Sequence, residues 1–366
     1  MNPDDERLKN PQNRGWRRML DFFQFDTDEE RRLLLARARN VALTALQRYD
    51  IEWERIQFIQ LSDTITYQIE TSMQQRYLLR IHSDHSGKKE ICSELALLQA
   101  LNQSEGLIVP EGVAGKDGSY VMAIDTEMGY RRPYVTLMRW VEGQHASEMT
   151  DNRIYRMGVM MGRLHESAAG ITLPPGFTRP EWGVDSFAGE MKKLERYYYR
   201  FLSEQAWSIY QAAAEKIMSH ISVMEKNEDN YGLVHADLHS GNIVFNGEEP
   251  CPIDFGRCGY GYYLYDMAGA LLELGPKQRE HFIEGYESVR KLPLNYVRHV
   301  ECFFVMFMIE NGCHHVSNPE ETNNLISEQP FALAYLREFL QQSSFLFRKI
   351  EPVSMDCSAA APLSKE

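Results

Sequence analysis

Residues 233–256 read LVHADLHSGNIVFNGEEPCPIDFG, and the order of the polar side chains in this stretch decides how the chain is read. His235-Ala236-Asp237 is followed by Asn242 five positions after the aspartate, and Asp254-Phe255-Gly256 begins twelve positions after the asparagine. Phosphoryl transfer to a hydroxyl asks for such a set. The hydroxyl needs a carboxylate that takes its proton, which Asp237 supplies. The phosphates need a divalent cation such as Mg²⁺, with hard oxygen ligands from the Asn242 amide and the Asp254 carboxylate. Ile243-Val244-Phe245 and Cys251-Pro252-Ile253 flank an Asn246-Gly247 turn signal. The pattern predicts a short hairpin that draws the base and both metal ligands together.

The spacing matches the H-x-D-x-x-x-x-N catalytic loop and the D-F-G metal loop of kinases. A lone H-x-D or D-F-G would mean little, but here six motif positions stand in order across a hairpin-sized gap. At these residues the chain resembles the aminoglycoside phosphotransferase and choline kinase-like family, a branch of the protein-kinase-like fold. Ala236 and the His239-Ser240-Gly241-Asn242 run look like this branch. So does Asp266-Met267-Ala268, placed where these enzymes usually carry an Asp-Leu-Ala helix start. The resemblance covers most of residues 50 to 345 and is specific for fold and reaction, not for substrate. It implies an α+β, protein-kinase-like fold of two lobes: a small antiparallel-sheet lobe and a larger, mainly helical one. The expected division is a polar extension over 1–25, the nucleotide-binding lobe over 26–139, the helical catalytic lobe over 140–351 and a disordered tail over 352–366. It also implies ATP as donor, with GTP left open, Mg²⁺ as the cation, and a hydroxyl acceptor on a small molecule. Aminoglycosides, choline-like amines and amino alcohols such as homoserine all remain open as that acceptor. His235 and Asp266 are expected to brace the catalytic loop.

Composition agrees with this reading without being able to produce it. A chain of 366 residues, 43% hydrophobic and 25% charged, is long enough for two lobes with a sizeable core. A formal net charge of −13 argues against nucleic acid as a partner. It suits a cationic acceptor somewhat better than an anionic one, although solubility alone also accounts for it. The apolar run Cys302–Ile309 is too short for a membrane span, and MNPDDERLKN lacks the apolar core of a signal peptide, so a cytoplasmic protein with no membrane partner is expected. None of the six cysteines forms a C-x-x-C pair, and Cys313-His314-His315 has no second half at zinc-finger spacing, so no zinc is expected.

Upstream, Thr27-Asp28-Glu29-Glu30 reads as a capping box opening a helix to about Tyr49, with Leu34, Ala38, Val41, Ala42 and Ala45 on its apolar face. Alternating segments at 56–61, 65–70 and 76–81 read as strands. The turn Ser62-Asp63-Thr64 lies where protein kinases carry a glycine-rich loop, but no G-x-G-x-x-G is present. Thr64 and its backbone are the candidates for phosphate contact there. Arg80 stands where kinases place the lysine that grips the phosphates, sharing a strand face with Leu78. A helix is expected over about 88–101 with Ile91, Leu95 and Leu98 inward. Glu94 lies in that stripe and needs a partner, for which Arg80 is the natural choice. The competing account leaves Arg80 an exposed strand charge and Glu94 at the stripe's edge.

Strands are expected over 120–124 and 134–140, with Trp140 either facing adenine or serving as a structural tryptophan. Beyond Gly143 helical patterns cover Asp151–Ser167, roughly Phe187–Lys226, and segments from Tyr262 to Arg348, with His165 read as structural. A helix from about Leu294 to His315 puts Phe303, Phe307, Glu310 and His314 at spacings of four, three and four, hence on one face. That face either walls an acceptor site in which Glu310 and His314 meet the substrate, or is plain packing. Two other functions compete with the small-molecule kinase. One is a bacterial stress-response type of serine/threonine protein kinase with a protein substrate. The other is a catalytically dead binding module, which the intact Asp237, Asn242 and Asp254 oppose.

Overall fold

Thr27 starts the first regular element as its sequence predicts. Its hydroxyl accepts from the Glu30 backbone N–H at 3.2 Å while the Glu30 carboxylate accepts from the Thr27 N–H at 3.1 Å. The reciprocal pair satisfies two donors that a helix start leaves open. Helix α1 then runs Asp28–Leu46, and Leu34, Ala38, Val41, Ala42 and Ala45 are buried along one face. The computed structural model describes residues 19–25 and 27–353; the expected tail lies largely, and the N-terminal extension mostly, outside them. The described residues divide into two compact units, one running up to residue 92 with 112–140, the other of 93–111 with 141 onward.

In the first unit, β1 (Trp53–Leu61), β2 (Thr64–Thr71) and β3 (Arg76–His82) form antiparallel neighbours. Helix α2 (Lys88–Leu101), whose residues from Ser93 on belong to the second unit, follows over the span its apolar stripe predicts. The sheet is completed by β4 (Glu111–Val113), β5 (Met122–Ala123) and β6 (Tyr134–Arg139), in the order β1-β2-β3-β6-β4 with β5 on β6. The strand expected over 120–124 shrinks to two residues, and β4 has no counterpart in the sequence reading. Both are too short for a period of two to show. Apolar residues of α1 and of β2, β3 and β6 make one core, Leu34, Ala42, Ile65, Leu79 and Leu137 being fully buried. Arg80 sits on the central strand, paired across to Thr66 on one side and Thr136 on the other.

Beyond residues 93–111, the second unit holds α3 (Asp151–Ala169), α4 (Val184–Tyr197) and α5 (Glu204–Ser222). The single helix expected over 187–226 is thus two. A short 3-10 turn at Tyr198–Arg200 ends the first, and Ser203 starts the second by accepting from the Ala206 N–H at 3.2 Å. Serine as an N-cap competes with helix continuation, a signal the apolar periodicity masked. Next come β7 (Tyr231–Val234), β8 (Ile243–Asn246), β9 (Glu249–Pro252) and β10 (Gly259–Tyr262). Strands β8 and β9 form the expected hairpin, its turn carried by Gly247 at φ 64°, a backbone region open to glycine at little cost. Strand β10 pairs antiparallel with β7. Helices α6 (Tyr263–Leu271), α7 (Pro276–Glu287), α8 (Tyr296–His315) and α9 (Thr322–Leu340) complete the unit. Among the described residues no helix is long and apolar enough to cross a membrane.

Candidate active site

The loop between β7 and β8 carries His235, Asp237 and Asn242, and one buried carboxylate holds its start. Asp266, in the first turn of α6, accepts from the His235 N–H at 2.9 Å and from the Ala236 N–H at 2.7 Å. Ala236 has φ 64°, a left-handed conformation costing a residue with a Cβ roughly 1–3 kcal/mol. The Asp266 bonds stabilise that turn, which sends the next side chain, Asp237, away from the strand direction. Asp266 also meets His165 of α3 at 3.0 Å, and the other nitrogen of His165 lies 2.9 Å from the Tyr286 hydroxyl. Burial drives the fully enclosed His165 below its ordinary value, so it stays neutral. Its Nε2–H then donates to Asp266 while Tyr286 donates to Nδ1. Burial is the largest influence and works against the Asp266 charge, but the contacts from His165 and His235 together outweigh it and the carboxyl is held below its usual range.

His235 reaches the second loop. Its Nε2–H donates to the Ile253 carbonyl at 2.9 Å and its ring packs 4.5 Å from that of Phe255. Asp254 follows Ile253 with φ 60° and ψ 68°, again left-handed, and accepts from the Gly256 N–H at 3.3 Å. Asn242 turns its amide nitrogen to the Asp237 carbonyl at 2.8 Å and to Asp237 Oδ2 at 3.1 Å. Those bonds involve neither Asn242 Oδ1 nor Asp237 Oδ1. The Ile253 N–H donates to the Asn242 carbonyl at 2.9 Å, tying the two loops together. Burial pushes the Asp237 carboxyl up and the Asp254 charge adds to it, while Arg257, His239 and His235 pull it down. The net rise moves Asp237 toward the range in which a carboxylate serves as a general base. Amide and carboxylate oxygens beside two mutually repelling aspartates fit a hard divalent cation, which would relieve that repulsion.

A second buried carboxylate lies on α8. Glu310 is 4% exposed and accepts from the Tyr265 hydroxyl at 2.7 Å through Oε2. Among the described residues its Oε1 has no hydrogen-bond partner, and neither have the buried Glu190 Oε2 of α4 and Arg257 Nε. Burial raises the Glu310 carboxyl to about 7, with Glu190 adding to the rise and Tyr265 and Arg257 opposing it. Arg257 therefore acts electrostatically on both Glu310 and Asp237. Its guanidinium lies 4.5 Å over the Trp182 ring, which stacks on Tyr265 at 6.4 Å. The helix face expected from the spacing is divided. Phe303, Phe307 and Glu310 are buried, Phe307 packing 5.3 Å from Tyr265, whereas His314 is exposed at the last turn. Arg257, Glu190 and Tyr265 belong to none of the motifs in the sequence. Arg257 directly follows the metal loop, and that adjacency was the one signal available.

On the first unit, Arg80 is 5% exposed, so it is not a solvated strand charge. One of its guanidinium nitrogens lies 3.8 Å from Met138 Sδ. Thr64 is half-buried at the start of β2, its carbonyl accepting from the Ser62 N–H at 3.0 Å. Glu94, on the part of α2 that belongs to the second unit, is 3% exposed and so lies well inside the stripe and not at its edge.

This fold is that of the protein-kinase-like class. The model of the APH phosphotransferase enzyme family matches residues 55–296, and the chain belongs to that family of kinases. The chain is 27% identical over 235 residues to amicoumacin kinase of Bacillus subtilis (strain 168), a match covering 62% of this chain and 66% of that protein. Among solved structures, a microcompartment-associated aminopropanol kinase superposes with a TM-score of 0.74 at 25% identity, covering 84% of this chain and 99% of that one. The amicoumacin kinase hAmiN, in complex with AMP-PNP, Ca²⁺ and Ami, gives a TM-score of 0.71 at 19% identity over 87% of this chain and 97% of that one.

Proposed function

We propose that this protein transfers the γ-phosphoryl group of ATP, with Mg²⁺, to a hydroxyl of a small amino alcohol. The observation that carries the reaction is the Asp266-held loop that sets Asp237 beside Asn242 and ties both to the Asp254 loop. Asp237 takes the proton from the acceptor hydroxyl as its oxygen bonds to the γ-phosphorus. The bond from that phosphorus to the β-bridging oxygen breaks and ADP leaves. Asn242, bonded to Asp237 Oδ2, fixes the carboxylate so that its other oxygen meets the hydroxyl. Mg²⁺ would be held by Asn242 Oδ1 and the Asp254 carboxylate, and would supply neutralisation of phosphate charge. Arg80, Glu94 and Thr64 keep the nucleotide-side roles read from the sequence. His235 and Asp266 position the loops.

The unsatisfied Glu310 and Glu190 oxygens support a cationic acceptor. An ammonium group would give both a donor, and burial would strengthen the pairing. Aminopropanol, the substrate named for one structural neighbour, has that combination of ammonium and hydroxyl. The direct test is ATP consumption over pools of amino alcohols, aminoglycosides, other hydroxyl metabolites and a generic protein substrate. Asp237→Asn should lose about 10²–10⁴-fold in turnover with the active pool while still binding nucleotide. Near-normal turnover in that variant removes Asp237 from the base role. Phosphorylation of the protein substrate alone would replace the small-molecule reading with the protein kinase.

A further inference from the structure

The loop that carries Asp254 has little of its own to hold it. Residues 255–257 form a single 3-10 turn in which the Cys258 N–H meets the Phe255 carbonyl at 3.0 Å, Gly256 has no side chain, and the carbonyls from Gly256 to Cys258 are met from outside the turn. Their partners come from residues 178–182, a strap just ahead of α4. Arg179 Nε donates to the Cys258 carbonyl at 2.6 Å, and its NH2 group donates to the Gly256 carbonyl at 2.6 Å and the Phe255 carbonyl at 3.4 Å. The Trp182 indole donates to the Arg257 carbonyl at 3.0 Å. Every carbonyl from Phe255 to Cys258 is thereby met by a strap side chain. The strap backbone continues the grip, with the Tyr260 N–H donating to the Pro180 carbonyl at 2.8 Å and the Trp182 N–H to the Tyr260 carbonyl at 2.7 Å. Gly259 permits this approach, because a Cβ there would lie 2.3 Å from the Pro180 carbonyl oxygen. At its other end the strap is tied to α2, where the Thr178 N–H donates to Ser93 Oγ at 2.9 Å.

We infer that Arg179 is a positioning residue for phosphoryl transfer, pinning the 255–258 carbonyls so that Asp254 is presented in its left-handed conformation. The inference rests on the reading of Asp254 as a metal ligand. A guanidinium suits the task, since its planar fork reaches several carbonyls at once with charge-assisted bonds. Lysine, a point donor, could replace part of it. Ser93 neighbours Glu94 on α2, so the strap also connects the helix bearing that carboxylate to the metal loop.

The experiment pairs two readouts, neither of which needs the acceptor. In the metal-free full-length protein, hydrogen exchange is followed for peptides spanning 253–262. AMP-PNP affinity is then measured with and without Mg²⁺. Arg179→Met should speed exchange in 255–260 and shrink the Mg²⁺-dependent gain in affinity by about 10- to 100-fold, the size typical for groups that orient metal ligands. Its Mg²⁺-free affinity should stay as in the wild type. Arg179→Lys, more conservative should the methionine variant fold poorly, should fall between. Wild-type exchange in the loop, or equal loss of affinity with and without Mg²⁺, overturns the positioning role. Asp254→Ala run alongside separates the two readings. A lost Mg²⁺ gain there but not in Arg179→Met refutes the role of Arg179, whereas a gain retained in both refutes the metal assignment beneath it.

Discussion

Replacing Glu310 by glutamine tests the acceptor reading through the pH dependence of stability. The Glu310 carboxyl is raised from an ordinary 4.5 to about 7, chiefly by burial. Because the folded value lies above the unfolded one, its contribution to stability is full below about 4.5 and is lost as pH rises through about 7. At about 1.4 kcal/mol per pH unit, ionising the buried group costs the wild type roughly 3 kcal/mol by pH 8 and under about 1 kcal/mol at pH 5. Glutamine keeps an oxygen to accept from Tyr265 and cannot ionise. The stability of Glu310→Gln minus that of the wild type should therefore grow by roughly 2–3 kcal/mol from pH 5 to pH 8. Urea unfolding of both proteins at the two pH values measures it, and shifts of other groups cancel in the difference. A difference that stays flat with pH would show that Glu310 is ionised throughout and that its environment has been misread. A linked result concerns binding. A cationic acceptor should ionise Glu310 and release protons at pH 6.5, seen as a buffer-dependent heat in titration calorimetry, while Glu310→Gln should release fewer and raise the acceptor KM with ATP affinity unchanged.

Asp254→Ala should weaken Mg²⁺-dependent nucleotide binding more than Asn242→Ala, because it removes a charged ligand where the other removes a neutral one. Matching Mg²⁺ titrations for wild type and Asp254→Ala would make the Asp-Phe-Gly match accidental. Asp266→Ala strips the acceptor from two backbone N–H groups and from His165, all buried, and should cost roughly 3–5 kcal/mol of stability together with most of the activity. Denaturant unfolding with less than about 1 kcal/mol of loss would show that other contacts hold the left-handed turn at Ala236.

The sequence by itself determined the elements whose signals are local. Thr27 and Glu30 face each other within one turn, so the start of α1 is legible from four residues. The stripe of Ile91, Leu95 and Leu98 marks α2, and alternation marks β1 to β3, because both periods repeat over enough residues to be counted. His235, Asp237, Asn242 and Asp254 were visible because side chains bearing chemistry lie in one short segment, and the structure draws that segment into two linked loops. Tertiary structure alone decided the rest. Helix periodicity placed Glu310 and His314 on one face, but only the packing against Tyr265 and the end of α8 separate the buried carboxylate from the exposed imidazole. Arg179 and Trp182 left no trace, since their partners are main-chain carbonyls some 75 residues away. Every residue offers such a carbonyl, so a bond to it constrains one side chain and writes nothing into the sequence of the other.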